Sequence, residues 1–286
     1  MIFESMLPQL KSLHKAACIL STAKKVLINT GAGMSAESNI PTYRDEKGRW
    51  RDFEAFTRKG IIPKDIAHPI GYRNQFKHAT AFHEYMRRLM WDAQPHDGYH
   101  VLTRWMKSGF TRKNGVVPSF VLTTNIDNLH KKAGVEHAQI YERYGNLWEF
   151  QCLNPQVDSL CAQHAWHINQ REVCKLDQDT LTTSHHPTCL FCDGPTRPRI
   201  QMSHDEDYIA DEVGWRRYQM FMQDVDVCIV IGTCLWLSWP EGVHQPKVIH
   251  INLDENTHKN YHDPIAITLG AQQALTGIDW FLKQLD

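Results

Sequence analysis

Lys25-Val26-Leu27-Ile28-Asn29-Thr30-Gly31-Ala32-Gly33-Met34-Ser35-Ala36-Glu37 is the stretch that decides the fold. Val26, Leu27 and Ile28 form the apolar run of a central strand, after which the chain enters a glycine turn and a helix start. Gly31 to Ala36 fits G-x-G-x-x-A, the alanine-ended form of the dinucleotide fingerprint. Glycine lets a backbone turn sharply and come close to a pyrophosphate, whose charge then sits on free N–H groups. The same residues also describe a plain strand-to-helix turn, so the rest of the chain must decide.

Outward from this stretch the chain alternates. Residues 5–24 have Leu7, Leu10, Leu13, Ala17 and Leu20 at helical spacing. After the turn, residues 39–50 are polar and punctuated by Pro41 and Gly48, a long loop where a cofactor lid is expected. Residues 72–92 and 97–108 are predicted helices, the second stopping at Gly109, and the Arg87-Arg88 pair is read as a solvated face. Ser119 to Thr124 is a second buried strand that delivers Asn125-Ile126-Asp127 at its end, and Ile140 to Arg143 is a third, leading to Tyr144-Gly145. Helix 210–224, strand Val227 to Ile231 ending in Gly232-Thr233, strand Lys247 to Ile251 ending in Asn252-Leu253-Asp254, and helix 271–284 complete the series. This rhythm predicts an α/β chain, a Rossmann-like doubly wound parallel sheet carrying a smaller inserted helical and zinc-binding module.

Composition narrows the class. The 286 residues are 22% charged and 42% hydrophobic with a net charge of -1, which argues for a globular protein and against nucleic acid as a direct partner. Apolar runs such as Val227 to Ile231 are too short to span a bilayer, and Met1 to Ser5 lacks the layout of a signal peptide. The expectation is a cytoplasmic protein without a membrane partner.

Residues 151–196 lose the strand-helix rhythm and gather Cys152, Cys161, Cys174, Cys189 and Cys192. Cys189-Leu190-Phe191-Cys192 is a C-x-x-C, a spacing that lets two thiolates grip one tetrahedral zinc. Cys152 is the expected third ligand, and the fourth is Cys161 ahead of Cys174, His164 and His167. A redox C-x-x-C would open a helix after a strand, which Pro187 and Gly194 oppose. Such a closed ligand set predicts a structural metal.

Polar residues stand at the ends of four strands: Gly31 to Ser35, Asn125 and Asp127, Gly232 and Thr233, Asn252 and Asp254. Each alone is an ordinary turn former or cap. Together they predict a nucleotide crevice at one edge of the sheet.

These residues carry a resemblance. The chain resembles the sirtuins, the NAD-dependent protein-lysine deacylases, in Gly31 to Arg44, Thr124-Asn125-Ile126-Asp127, Tyr144-Gly145, the cysteine module, Gly232-Thr233-Cys234-Leu235 and Asn252-Leu253-Asp254. The matches run in family order from about residue 25 to 271, so the resemblance implies one sirtuin-type catalytic domain over 1–286. A helical and cofactor-loop module at 48–92 and a zinc module at 150–213 would be inserted in it. It implies NAD with its pyrophosphate on the turn of Gly31, Ala32, Gly33 and Ser35, covered by the loop of Tyr43 and Arg44. Thr124, Asn125, Ile126 and Asp127 would line the nicotinamide end. Gly232, Thr233, Asn252, Leu253, Asp254 and Ala271 would hold the adenosine half. Cys152, Cys161, Cys189 and Cys192 would hold structural zinc. The implied reaction moves the acyl group of a protein lysine to ADP-ribose, with nicotinamide released and a histidine as general base.

The chain departs from that pattern where the base should be. The family has His-Gly and this chain has Tyr144-Gly145. A tyrosine side chain ordinarily titrates near a pKa of about 10 and is a poor base at neutral pH, and losing a general base costs roughly 10²–10⁴-fold in rate. Tyr144, Asn125 and Asp127 are the candidate catalytic positions. Thr124 replaces a usual glutamine, Cys234 a usual serine, and Met202-Ser203-His204-Asp205 an aromatic-Gly-Glu segment. Cys152 to Cys161 is wider than the usual first ligand pair, and no secure Tyr-x-x-Arg pair for acidic acyl groups is read around 82–88. Three activities fit: a deacylase weakened by Tyr144 and acting on an acylated lysine, an NAD hydrolase or mono-ADP-ribosyltransferase with an acceptor protein, and a non-catalytic NAD-binding protein.

Overall fold

The computed structural model describes residues 2–41, 53–113, 115–233, 239 and 245–286. Tyr43, Arg44 and Cys234 lie outside the described residues. The helices are α1 (Ile2–Leu20), α2 (Ala32–Ser35), α3 (Glu54–Thr57), α4 (Pro63–Ile66), α5 (Pro69–Asn74), α6 (Phe76–Asp92), α7 (Asp97–Ser108), α8 (Leu129–Lys132), α9 (Leu160–Gln163), α10 (Glu212–Met222) and α11 (Ala271–Leu285). The strands are β1 (Val26–Thr30), β2 (Ser119–Thr123), β3 (Ile140–Glu142), β4 (Gly145–Cys152), β5 (Trp166–His167), β6 (Lys175–Asp177), β7 (Thr182–Ser184), β8 (Thr196–Ile200), β9 (Val227–Ile231), β10 (Lys247–Ile251) and β11 (Ile265–Ile267).

Six strands form one parallel sheet in the order β11-β10-β9-β1-β2-β3. Every residue of β1 is buried, because it pairs with β2 on one side and β9 on the other. Its side chains alternate between two cores. Val26 and Ile28 face a core that includes Leu13, Leu102 and Leu275 from α1, α7 and α11. Leu27 faces a second, with Phe120, Val230 and, from α10, Tyr218 and Met222. Helices therefore cover both faces, as a parallel sheet requires. The strand order reverses between β1 and β9, and in such sheets the crevice at the reversal is where ligands bind.

α7 matches the predicted span 97–108. His96 caps it, Nδ1 accepting from Gly98 N at 3.0 Å, and Gly109 stops it at φ +84°. The predicted helix 72–92 is instead two helices, α5 and α6, parted at Gln75, whose extended φ of -137° breaks the winding. Strand β11 was not anticipated, since three residues give too little pattern.

The Arg87-Arg88 reading needs correction. Arg87 is 1% exposed. Its guanidinium pairs with Glu84 at 2.6 Å and donates twice to the Leu147 carbonyl, at 3.0 and 2.9 Å. Arg88 binds the other Glu84 oxygen at 3.3 Å and the Cys174 carbonyl at 3.2 Å. The pair clamps α6 to the segment between β4 and β8. Two adjacent cations read as solvated only while their partners are unseen; Glu84 faces both, Glu172 lies 3.5 Å from Arg88, and the two carbonyls accept further N–H groups. β4 and β8 pair antiparallel in a small sheet with β5, and β6 and β7 form a separate hairpin. Among the described residues, no helix is long and apolar enough to cross a membrane.

Candidate functional site

The carboxyl ends of β1, β2 and β9 and the segment after β3 open on a cavity of about 1120 Å³. Ala32, Ser35, Thr124, Asn125, Ile126, Asp127, Tyr144, Gly232 and Thr233 all line it. The structure thus brings together the candidates from three strand ends and the one after β3.

The glycines are fixed by contact between two turns. Gly31 N donates to the Ile231 carbonyl and Gly33 N to the Gly232 carbonyl, each at 3.0 Å. A Cβ on Gly33 would sit 2.7 Å from Gly232 Cα, and one on Gly232, at φ +58°, 2.4 Å from the Gly33 carbonyl carbon. The β1 and β9 turns therefore interlock, and side chains are excluded before any ligand enters; the N–H groups of Gly31 and Gly33, expected to be free for a pyrophosphate, are instead taken by these two carbonyls.

Behind the cavity floor lies a buried hydrogen-bond network. Asn125 Nδ2 donates to the Gly31 carbonyl and to Ser35 Oγ, both at 2.9 Å. Ser35 Oγ donates to Asp127 Oδ2 at 2.5 Å. Asp127 Oδ1 accepts from Leu129 N at 2.9 Å, so the cap role expected of a residue after a strand is real and coexists with the Ser35 contact. Burial raises the Asp127 carboxyl, against the lowering effect of the Ser35 and Leu129 hydrogen bonds. A second strut runs beneath. Thr30 Oγ1 donates to Thr123 Oγ1 at 2.8 Å, which accepts from Asn125 N at 3.1 Å. Thr30 has then given its proton away, so His130 Nε2, 2.9 Å distant, is the donor to it.

Tyr144 lines the cavity near the end of β3. Its carbonyl accepts from Gln201 N at 3.0 Å, and the Arg143 guanidinium lies 5.9 Å from its ring centre. Gly145 has φ +72°, and a Cβ there would fall 1.9 Å from the Arg199 carbonyl oxygen, so the close approach of β8 demands glycine. Met202 and Ser203 also reach the cavity. His204 faces His68 across the rim, their rings 6.5 Å apart.

One wall was missed. Phe82, His83, Met86 and Met90 line the cavity from α6. His83 Nδ1 lies 2.9 Å from the Ala79 carbonyl and 2.9 Å from the Tyr72 hydroxyl, and burial lowers its pKa to about 4. Only the helical spacing of these four residues hinted at a common face. The Tyr-x-x-Arg spacing does occur, at Tyr85 and Arg88, but neither lines the cavity. Tyr85 packs on Phe53 and Phe56, and Arg88 is held by Glu84.

Asn252, Leu253, Asp254 and Ala271 stand apart from these lining residues. Asn252 Nδ2 reaches the Thr233 carbonyl at 3.5 Å, Asp254 caps the following turn through Asn256 N at 3.0 Å, Leu253 is exposed, and Ala271 opens α11, buried.

The cysteines assemble away from the cavity. The sulfurs of Cys152, Cys161, Cys189 and Cys192 all lie within 4.8 Å of one another. Cys152 and Cys192 are 3.8 Å apart, and Cys161 and Cys189 3.6 Å. Four thiolates on a tetrahedral zinc, with Zn–S near 2.3 Å, have sulfurs about 3.8 Å apart, so the donors and spacing fit that ion. The Cys189 turn is closed by Cys189 N to the Gly194 carbonyl at 2.8 Å. Cys174 lies instead beside the Arg88 clamp, and His164 stacks on Phe191 with Nδ1 on the Leu160 carbonyl.

A family model described as the Sir2 family matches residues 31–238. The chain belongs to the Sir2 family. A protein named NAD-dependent protein deacylase from Aquifex aeolicus is 30% identical over 205 residues, covering 71% of this chain and 70% of its own. One of the same name from Thermococcus sibiricus is 28% identical over 258 residues, 89% of each. A solved Sir2 homologue in complex with NAD superposes with TM-score 0.70 at 20% identity, covering 95% of this chain and 94% of that one. A Sir2 protein with a deacetylated p53 peptide and 3′-O-acetyl-ADP-ribose gives 0.63 at 18%, covering 92% and 96%. At such identities the two structures share the Sir2 fold with this chain.

Proposed function

We propose that this Sir2-family chain is an NAD-dependent protein-lysine deacylase whose turnover is limited by Tyr144. The observation that carries the reading is the cavity at the β1–β9 reversal, floored by the Ser35–Asn125–Asp127 network. The names of the similar proteins support it. When bound, NAD supplies the transferable ADP-ribosyl group and nicotinamide as its leaving group. The turn of Gly31, Ala32, Gly33 and Ser35 receives the pyrophosphate, and Tyr43 and Arg44 are further cofactor-binding residues. Thr124, Asn125, Ile126 and Asp127 bind the nicotinamide end. Gly232, Thr233, Asn252, Leu253, Asp254 and Ala271 bind the adenosine half. The acylated lysine of a protein substrate enters the remaining space, whose α6 wall is apolar apart from neutral His83. Zinc on Cys152, Cys161, Cys189 and Cys192 holds the 150–213 module, inserted with 48–92 into one catalytic domain. Thiols grouped as ligands suit the reducing cytoplasm.

Tyr144 favours a second reading. It occupies the place of the family's base, and cleaving NAD to ADP-ribose, for water or for an acceptor protein, requires no such base. Incubation with NAD and an acetylated peptide, followed by mass spectrometry, separates them. O-acetyl-ADP-ribose marks the deacylase, whereas free ADP-ribose or an ADP-ribosylated protein marks the second reading. Tyr144→His is expected to raise deacylation by roughly 10²-fold or more. If that variant deacylates no lysine peptide, the deacylase reading is abandoned.

A further inference from the structure

With Asp127 ionised, the hydrogen bonds beneath the cavity have one consistent direction. The Gly31 carbonyl can only accept, so the Asn125 amide must turn its nitrogen there, and its second N–H goes to Ser35 Oγ. Ser35 gives its single proton to Asp127 Oδ2. The Tyr99 hydroxyl, 2.8 Å from Ser35 Oγ, is therefore a donor to it. Both amide protons of Asn125 are then committed, and Oδ1 is its remaining polar atom.

We propose that Tyr99 is a positioning residue: its hydroxyl donates to Ser35 Oγ, commits the Ser35 proton to Asp127, and so holds the Asn125 amide with Oδ1 free for a ligand. Tyr99 is not among the cavity's lining residues; it acts through Ser35 and through its own hydrogen-bond contact with the Asn125 side chain. Its own placement is rigid. It sits in the first turn of α7, just after the His96 cap, fully buried. His96 Nε2, 2.8 Å from the Met34 carbonyl, ties that cap to the glycine turn. The Tyr99 ring lies between the rings of His96 and His130, at 4.9 and 4.8 Å. Burial raises the phenol well above its usual range, which keeps it a donor. Without this hydroxyl, Ser35 Oγ loses one of two donors, and both its side chain and the Asn125 amide gain rotational freedom.

The proposal deepens the NAD reading and rests on it for its kinetic arm, so the test has a second arm that needs no turnover. The full chain is compared with Tyr99→Phe, Ser35→Ala, the double variant and Tyr218→Phe, a buried tyrosine on the other face of the sheet. Hydrogen exchange of the Asn125 side-chain amide is read by NMR, and nicotinamide release from NAD by chromatography. Tyr99→Phe is expected to speed that exchange about tenfold, and to lower kcat roughly tenfold with KM for NAD within about twofold. Ser35→Ala is expected to loosen the amide as well, and because both residues touch the Asn125 side chain the double variant is expected to fall short of the sum of the two single effects. Tyr218→Phe leaves the exchange as it was. Unchanged exchange in Tyr99→Phe, additive effects in the double variant, or an equal response to Tyr218→Phe overturns the proposal. Should Tyr99→Phe fail to fold, unchanged exchange in Ser35→Ala overturns it. If wild type releases no nicotinamide while the exchange responds as expected, the NAD reading falls and the positioning of Asn125 stands.

Discussion

At the β1–β9 edge, Gly31, Gly33, Ser35, Asn125 and Asp127 are held by hydrogen bonds of the protein itself. At the cysteine cluster, sulfurs from β4, α9 and the Cys189 turn converge without a disulfide, in two weak thiol–thiol contacts. Both places gather distant parts of the chain. The first is complete without a ligand, because each donor in it already has an acceptor. The second leaves four thiols facing one point, and thiolates so close repel unless a cation lies between them. The nucleotide edge is therefore built by folding, and the cysteine module by its ion.

The largest effect should come from stripping that ion. Chelation, or Cys189→Ala, is expected to lower the melting temperature by more than about 10 °C, since structural zinc contributes on the order of 10 kcal/mol to its fold. Calorimetry with and without added zinc measures this, and an indifferent melting curve would remove the structural-zinc claim. Next comes the clamp between the two regions. Arg87→Ala removes the nearer cation from buried Glu84, which keeps Arg88 at 3.3 Å, and leaves the Leu147 carbonyl without its two donors, and should cost about 2–3 kcal/mol in urea unfolding. Arg216→Ala, which breaks an exposed pair with Glu212, should cost under about 1 kcal/mol. Equal losses would show that the burial of Arg87 contributes nothing.

At the edge itself, Asn125→Ala should cut nicotinamide release by roughly 10²-fold while leaving the melting temperature within a few degrees, as for loss of one preorganised donor or acceptor. The opposite outcome, a collapsed fold with normal residual turnover, would make Asn125 a structural residue. The remaining effect, spread over several units, is that of pH. His83 and His250 are held by burial to about 4 and His130 to about 3. Each folded-state value lies below the unfolded value of about 6.5, so the stabilising contribution is whole above pH 6.5 and lost as pH falls toward 4. Each adds a slope of up to about 1.4 kcal/mol per pH unit in that window. Urea titrations at several pH values check it, and His130→Asn should flatten the curve.

What could be read in the sequence follows the same division. Strands such as Val227–Ile231 and Lys247–Ile251 are short apolar runs ending in turn residues, and they appeared as read. α7 appeared to the residue because a cap and a glycine bracket it. The four zinc-compatible cysteines were legible from one C-x-x-C and the thiols nearest in kind. Buried polarity was not. Arg87 looked solvated because Leu147, its carbonyl partner, comes from another part of the chain. Tyr99 and His83 drew no reading of their own within the predicted helices, since hydrogen-bond direction is a property of assembled atoms and leaves no periodic trace.

The interlocked turns carry one more consequence. Gly33 and Gly232 exclude side chains because each occupies the room the other's Cβ would need. Selection for a sound fold alone would preserve them. A chain of this fold without the chemistry would still carry the glycines intact. The fingerprint therefore reports the architecture first, and the chemistry is to be read from the residues around it.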